Sequence, residues 1–279
     1  MTAEALLRRG LERRGDDFIL TLDAAFQGLP DTAHGGSVLA VFHALAGGGA
    51  HAVRGLYRRR VSLGVPLHLT TTSRDGALDC RLVDAADPNA VLVEGRVESD
   101  GATDPALQPA FDVSGHPLPI SLSCFACGKD NPLGLRVQLR FDDASVGGMW
   151  TPRATLAAEG GVLAPVALTA LLDEAAFWLG ALASGESGMT TELAVRLHAS
   201  VPFGMPVLVG GRRPRVCQRA DDPRYWDTEV AVWTADGQCV ADARITFVAV
   251  RGAGRRLVAG MLSINPPEVV RRVFPAYAS

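Results

Sequence analysis

Val61-Ser62-Leu63-Gly64-Val65-Pro66-Leu67 recurs as Val201-Pro202-Phe203-Gly204-Met205-Pro206-Val207, an offset of 201 − 61 = 140 residues. Both copies read Val, a free position, an apolar side chain, Gly, an aliphatic, Pro, an aliphatic. Each follows an alternating run, residues 55–61 in one case and 192–201 in the other. Each leads into a further run of strand character, residues 66–73 and 206–212. Period-two alternation bounded by Gly and Pro marks half-buried strands. The chain therefore reads as one unit present twice, and that repetition organises the rest of the sequence.

Outward from the repeat, each half adds a second pair of strand-like runs. The first half has residues 77–85, the turn Asp87-Pro88-Asn89, and residues 90–99; the second has 225–235, Asp236-Gly237-Gln238, and 239–250. Asp-Gly between two alternating runs is a strong hairpin signal, and Asp-Pro-Asn serves the same purpose. Upstream, each half holds one apolar helix. The first opens near His34-Gly35-Gly36, runs through residues 37–46 and stops at Gly47-Gly48-Gly49, a C-terminal signal. The second starts at Pro165, at the favoured first helical position, and runs through residues 166–183. Residues 18–26 and 135–143 are the strands expected before these helices. Strand, helix, then several antiparallel strands is an α+β layout. The predicted units are residues 16–100 and 120–255, joined by a Pro-, Gly- and Asp-rich linker over 101–119 and followed by a tail over 256–279 with a short closing helix.

Composition narrows the function classes. Apolar residues make up 48% of the 279 and charged residues 20%, enough to bury a large core and to exclude global disorder. A net charge of −3 gives no reason to expect nucleic acid or an anionic membrane as partner. Five scattered cysteines fit a reducing cytoplasm better than a disulfide framework. The N-terminus lacks an apolar h-region, so no secretory signal is expected. The apolar stretch over residues 162–183 is long enough for a membrane span, but Asp173 and Glu174 sit at its centre, so a buried helix is expected. Arg58-Arg59-Arg60 and Arg212-Arg213-Pro214-Arg215 read as solvated strand ends or as a local site for the phosphates of a carrier such as CoA.

The residues around the two helices resemble a known family. Ala33-His34-Gly35-Gly36-Ser37-Val38-Leu39-Ala40 looks like the H-G-G helix start of the hotdog-fold thioesterases of the PaaI-like and 4-hydroxybenzoyl-CoA groups. Cys124-Phe125-Ala126-Cys127-Gly128, Asn131-Pro132 and Gly134-Leu135 are similar to the C-F-x-C-G-x-x-N-P-x-G-L start of many PaaI-like proteins. Trp150-Thr151-Pro152 and Ala170-Leu171-Leu172-Asp173-Glu174-Ala175-Ala176 resemble the family's acid-bearing helix. The resemblance implies two fused hotdog domains, each a long apolar helix wrapped by a curved antiparallel sheet. It also implies a thioesterase acting on an acyl-CoA or acyl-carrier thioester, with no cofactor beyond the CoA of its substrate, and a homo-oligomeric assembly.

Thioester hydrolysis needs stabilisation of charge on the carbonyl oxygen and an activated nucleophile. A helix N-terminus offers free N–H groups and a positive dipole, and Gly35 and Gly36 let a carbonyl approach the backbone. A carboxylate supplies the general base or nucleophile. In enzymes of the resembled type the acid follows the His by about nine residues, about 13 Å along a helix. One helix therefore cannot present both ends to one carbonyl, and the site has to be shared between two. Nine residues after His34 stands His43, not an acid; nine before Asp173 stands Ala164, followed by Pro165-Val166. Crossing the helices predicts one complete pair, Gly36 with Asp173, and one degenerate pair, Val166 with His43.

Other residues carry weaker expectations. His34 orients the Gly turn or caps a loop, and His43 is a core histidine or the lining of a second pocket. Thr190 and Thr191 lead into the strand after the acid-bearing helix, near the nucleophile. Gln27 stands where some relatives hold the water. Glu174, about 100° around the helix from Asp173, is expected to face solvent or a partner. Cys124-x-x-Cys127 has only His116 close in sequence, which leaves a zinc site incomplete, so no metal is expected. Two other functions compete with the thioesterase. One is a non-catalytic acyl-CoA binder. The other is a hotdog hydratase or dehydratase, for which Asp31-Thr32-Ala33-His34 is two residues short of a D-x-x-x-x-H spacing.

Overall fold

In the computed structural model, which describes residues 1–47, 51–99 and 115–277, both copies of the repeat build the same strand–helix–sheet unit. The first comprises α1 (Ala3–Arg9), β1 (Leu11–Arg14), β2 (Asp17–Leu20), α2 (Gly35–Ala46), β3 (His51–Tyr57), β4 (Leu67–Arg74), β5 (Ala77–Asp84) and β6 (Val91–Ser99). The second comprises β7 (His116–Pro117), β8 (Arg140–Phe141), β9 (Ser145–Trp150), α3 (Pro165–Ser184), β10 (Gly188–Leu197), β11 (Val207–Arg212), β12 (Cys217–Gln218), β13 (Tyr225–Thr234) and β14 (Cys239–Ala249), and ends with α4 (Gly254–Leu262) and α5 (Pro267–Val273). All pairings between named strands are antiparallel, in the order β1-β2-β4-β5-β6-β3-β10-β14-β13-β11-β9-β8-β7, with β12 beside β13.

The halves meet at β3 and β10. Arg54 stands opposite Ala194, its own counterpart under the offset of 140, so a pseudo-two-fold axis passes through that pair. The two predicted hairpins form as β5–β6 and β13–β14. Before the helices the repeat is equally close. The Gln27–Ala33 bridge has its counterpart in Ala157–Leu163, and the Ala33 and Leu163 amides donate to Val61 and Val201, both at 2.8 Å.

α2 and α3 pack against each other and against the sheet. α3 is the described helix long and apolar enough to cross a membrane, and 83% of that stretch is buried within the protein, so its apolar surface is the core. Phe26, Phe42, Phe125, Trp178 and Phe247 are fully enclosed around the two helices. Each such side chain contributes about 1.5–3 kcal/mol relative to exposure.

Three expectations change. Residues 135–143 are not the strand preceding α3, since among them only Arg140 and Phe141 pair as β8. The Val137 amide donates instead to Ala126, and Leu139 accepts from Leu118, so this stretch ties down the cysteine-bearing segment. The counterpart of β2 is β9, whose Gly147-Gly148 pair has poor strand propensity and masked it. The sheet also begins before residue 16, because β1 pairs with β2 over Leu11–Leu20 to Arg14–Asp17, and the tail carries two helices rather than one. Gly48 and Gly49 of the predicted stop, and residues 101–114 of the predicted linker, lie outside the described residues.

Candidate active site

Where α2 begins, it lies directly against α3. A Cβ on Gly36 would fall 2.5 Å from the Thr169 carbonyl oxygen and 2.7 Å from Ala170 Cα, so only glycine permits the crossing. Thr169 Oγ1 also donates to the Gly36 carbonyl at 2.8 Å. One turn further along α3, this crossing brings Asp173 of the second half onto the N-terminus of α2 in the first. Asp173 Oδ2 accepts the Gly36 amide at 3.0 Å, and Oδ1 accepts the Thr190 hydroxyl at 2.6 Å. The carboxylate thus caps a helix dipole from outside the helix. Tyr57 donates to the Gly35 carbonyl at 2.7 Å. Among the described residues, the Gly35 amide has no hydrogen-bond partner.

His34, the N-cap residue of α2, makes no capping bond with its side chain. Its ring stands between two acids: Nδ1 is 3.2 Å from Asp173 Oδ2, off the hydrogen-bonding direction, and Nε2 is 4.0 Å from Glu174 Oε2. Burial alone would push the imidazole down, but Glu174 and Asp173 outweigh it and raise His34 to about 9. At 4.0 Å the pull of Glu174 is charge attraction rather than a formed hydrogen bond. Burial, with Asp173 nearby, holds the Tyr57 hydroxyl well above its ordinary range. Cys124 and Cys127 lie beside the acids. Cys127 Sγ donates to Ser121 Oγ at 3.8 Å; its proximity lowers Cys124, while Cys124, burial and Glu174 raise Cys127.

These groups border a cavity of about 580 Å³, of the size that takes a small organic ligand. Phe177, Trp178, Leu257 and Met261 give it an apolar side, and Arg58, Arg59, Arg60 and Arg219 give it a cationic one.

No protein-family model and no curated protein sequence matches the chain. Solved structures do. A thioesterase II candidate from Thermobifida fusca is similar over 90% of this chain and 100% of its own, at 19% identity and a TM-score of 0.62. A hot dog fold protein of unknown function from Alicyclobacillus acidocaldarius is similar over 90% and 99%, at 13% identity and a TM-score of 0.61. The fold is a double hotdog. An acyl-CoA thioesterase II from Mycobacterium marinum shares it over 88% and 97%, at 13% identity and a TM-score of 0.57. Dehydratase domains share it too.

Within the double hotdog, Asp173, Gly35, Gly36, His34 and Thr190 come together. Thr191 lines the cavity, but its hydroxyl donates to the Thr246 carbonyl rather than to the acid. Gln27 is not at the cavity wall. Its side chain donates to Ser123 Oγ at 2.5 Å and holds the cysteine-bearing segment to the first half. His43 is also absent from this wall, and its ring packs 5.2 Å from that of His51. Glu174 corrects the expectation that it faces solvent or a partner. It is 5% exposed, accepts Trp178 Nε1 at 2.7 Å and borders the cavity. α3 is enclosed nearly all round, so a position 100° away from Asp173 still faces the protein interior. α3 and Asp173, rather than the expected substrate carbonyl, make the close approach to Gly36 and Gly35. Tyr57 was missed, and a tyrosine in an ordinary strand gives no sequence signal of such a role.

Proposed function

We propose that this chain hydrolyses the thioester of an acyl-CoA or acyl-carrier substrate at one site shared between its halves. The observation that carries this reading is Asp173 of α3 lying at the N-terminus of α2, on the wall of an apolar cavity. Gly36, Thr190 and His34 hold the carboxylate, leaving lone-pair capacity for a water. Asp173 takes a proton from that water as its oxygen bonds to the thioester carbon. The charge that develops on the carbonyl oxygen is received by the Gly35 amide, because the Gly36 amide already serves Asp173. Collapse of the tetrahedral intermediate breaks the C–S bond, and the proton on Asp173 passes to the departing thiolate. Arg58, Arg59 and Arg60 suit the phosphates of the carrier.

The test is thiol release over a panel of acyl-CoAs of increasing chain length, with Asp173→Asn alongside. Undiminished turnover in the variant overturns the role of Asp173. Saturable binding without thiol release assigns the chain as a binder. The His34–Asp173 contact across the two halves favours one second reading, a dehydratase acting on a 3-hydroxyacyl thioester. Loss of water from that substrate, followed by absorbance of the enoyl product, would establish it.

A further inference from the structure

Beside Asp173 lies a set of three donors, of which the hydrolytic reading uses only His34, and of that only the Nδ1 side that faces Asp173. His34, Cys124 and Glu174 each offer a ligand atom, and these atoms all lie within 4.8 Å of one another. All three residues are more than nine-tenths buried, and they come from three separate segments: the cap of α2, the cysteine-bearing segment and α3. His116, the histidine close in sequence to the cysteines, is not needed, because the fold brings His34 to them.

Each donor is held as a ligand would be. Glu174 Oε1 is fixed by Trp178 Nε1 at 2.7 Å, which turns Oε2 toward His34 Nε2. Asp173 Oδ2 stands 3.2 Å from the other imidazole nitrogen, close enough that a small ring rotation would make the carboxylate–histidine hydrogen bond found at metal centres. Cys124 Sγ receives the Ala126 amide at 3.3 Å, a donor that stabilises thiolate. Burying the Asp173 and Glu174 carboxylates around one imidazole is costly without further positive charge, and a divalent ion supplies it.

We propose that the chain binds a divalent transition ion of the zinc class through His34 Nε2, Cys124 Sγ and Glu174 Oε2. A nitrogen, sulfur and oxygen donor set suits zinc or cobalt and disfavours magnesium or calcium. Three protein ligands leave a fourth position for a molecule from the cavity. Bonds of about 2.0–2.3 Å set tetrahedral ligands about 3.3–3.8 Å apart, so the donors draw inward by about 1 Å on binding. The inference is independent of thioester hydrolysis, since an inactive binder would hold the ion equally well.

The test uses the full chain, stripped with a chelator and titrated with Co²⁺ alone, followed by absorbance. Saturation at one ion per chain with a thiolate-to-cobalt charge-transfer band, reversed by Zn²⁺, is the expected result. Cys124→Ser should abolish that band and weaken Co²⁺ binding at least tenfold, and Glu174→Gln should weaken it at least tenfold. The exposed Cys217→Ser should leave both unchanged. Circular dichroism shows whether each variant is folded, and Glu174→Gln keeps the test open if Cys124→Ser is not. Absence of saturable binding in the folded parent chain, or an unaltered titration in both folded ligand variants, overturns the proposal.

Discussion

The N-termini of α2 and α3 occupy equivalent places in the repeat, yet they carry different side chains. The offset before the helices is 164 − 34 = 130, and the backbone respects it: His34 has φ −64° and ψ 130°, Ala164 φ −62° and ψ 133°. The side chains do not. Ala164 replaces His34, Pro165 replaces Gly35, Val166 replaces Gly36, and on the facing helix His43 stands where Asp173 would. Proline has no N–H, so the donor that Gly35 offers is absent at the second helix start. Near-identical backbone geometry thus carries different side chains, and the proposed site draws on both halves, the glycine turn from one and Asp173 from the other.

The largest expected break in this contrast is Asp173→Asn. It should lower thiol release about 100-fold or more while the protein stays folded by circular dichroism, in keeping with loss of a general base; a fall of less than threefold would be incompatible with the proposed role. Gly36→Ala should act on stability instead. Its Cβ would meet α3 backbone at 2.5 Å, and such overpacking costs about 1–3 kcal/mol, measurable by urea titration. Gly35→Ala separates the two effects. Its Cβ would fall 2.7 Å from Asp173 Oδ2, the end of a side chain that can move, so turnover should drop about tenfold with little change in the urea midpoint. Thr190→Val removes the bond to Asp173 Oδ1 and should cost about 1 kcal/mol of stability and a few-fold in turnover. His43→Gln, at the degenerate position, should leave thiol release unchanged within about twofold, and a loss as large as that of Asp173→Asn would mean that the second region is active too.

Much of the scaffold was legible because it follows from local rules. The Val-x-x-Gly-x-Pro repeat, the Asp-Gly hairpin and the proline start of α3 each constrain a few adjacent residues. β9 was not legible, since Gly147-Gly148 lacks strand propensity and forms a strand only with β11 beside it. One contact was also legible: the spacing that the resemblance implies, with helix rise, assigned the glycine turn and the acid of the proposed site to different helices, and the crossing of α2 with α3 brings Gly36 and Asp173 into hydrogen-bond contact.

The sequence by itself determined the duplication, the two helix starts and the separation of acid from glycine turn, because all three are matters of spacing along the chain. Tertiary structure alone decided which atoms meet. It set Gly36 to hold Asp173 and left the Gly35 amide without a partner among the described residues. It also enclosed Glu174 and delivered His34 to Cys124 from 124 − 34 = 90 residues away. The physical reason is that these contacts depend on how closely two helices cross, which the glycine at position 36 permits but does not by itself specify.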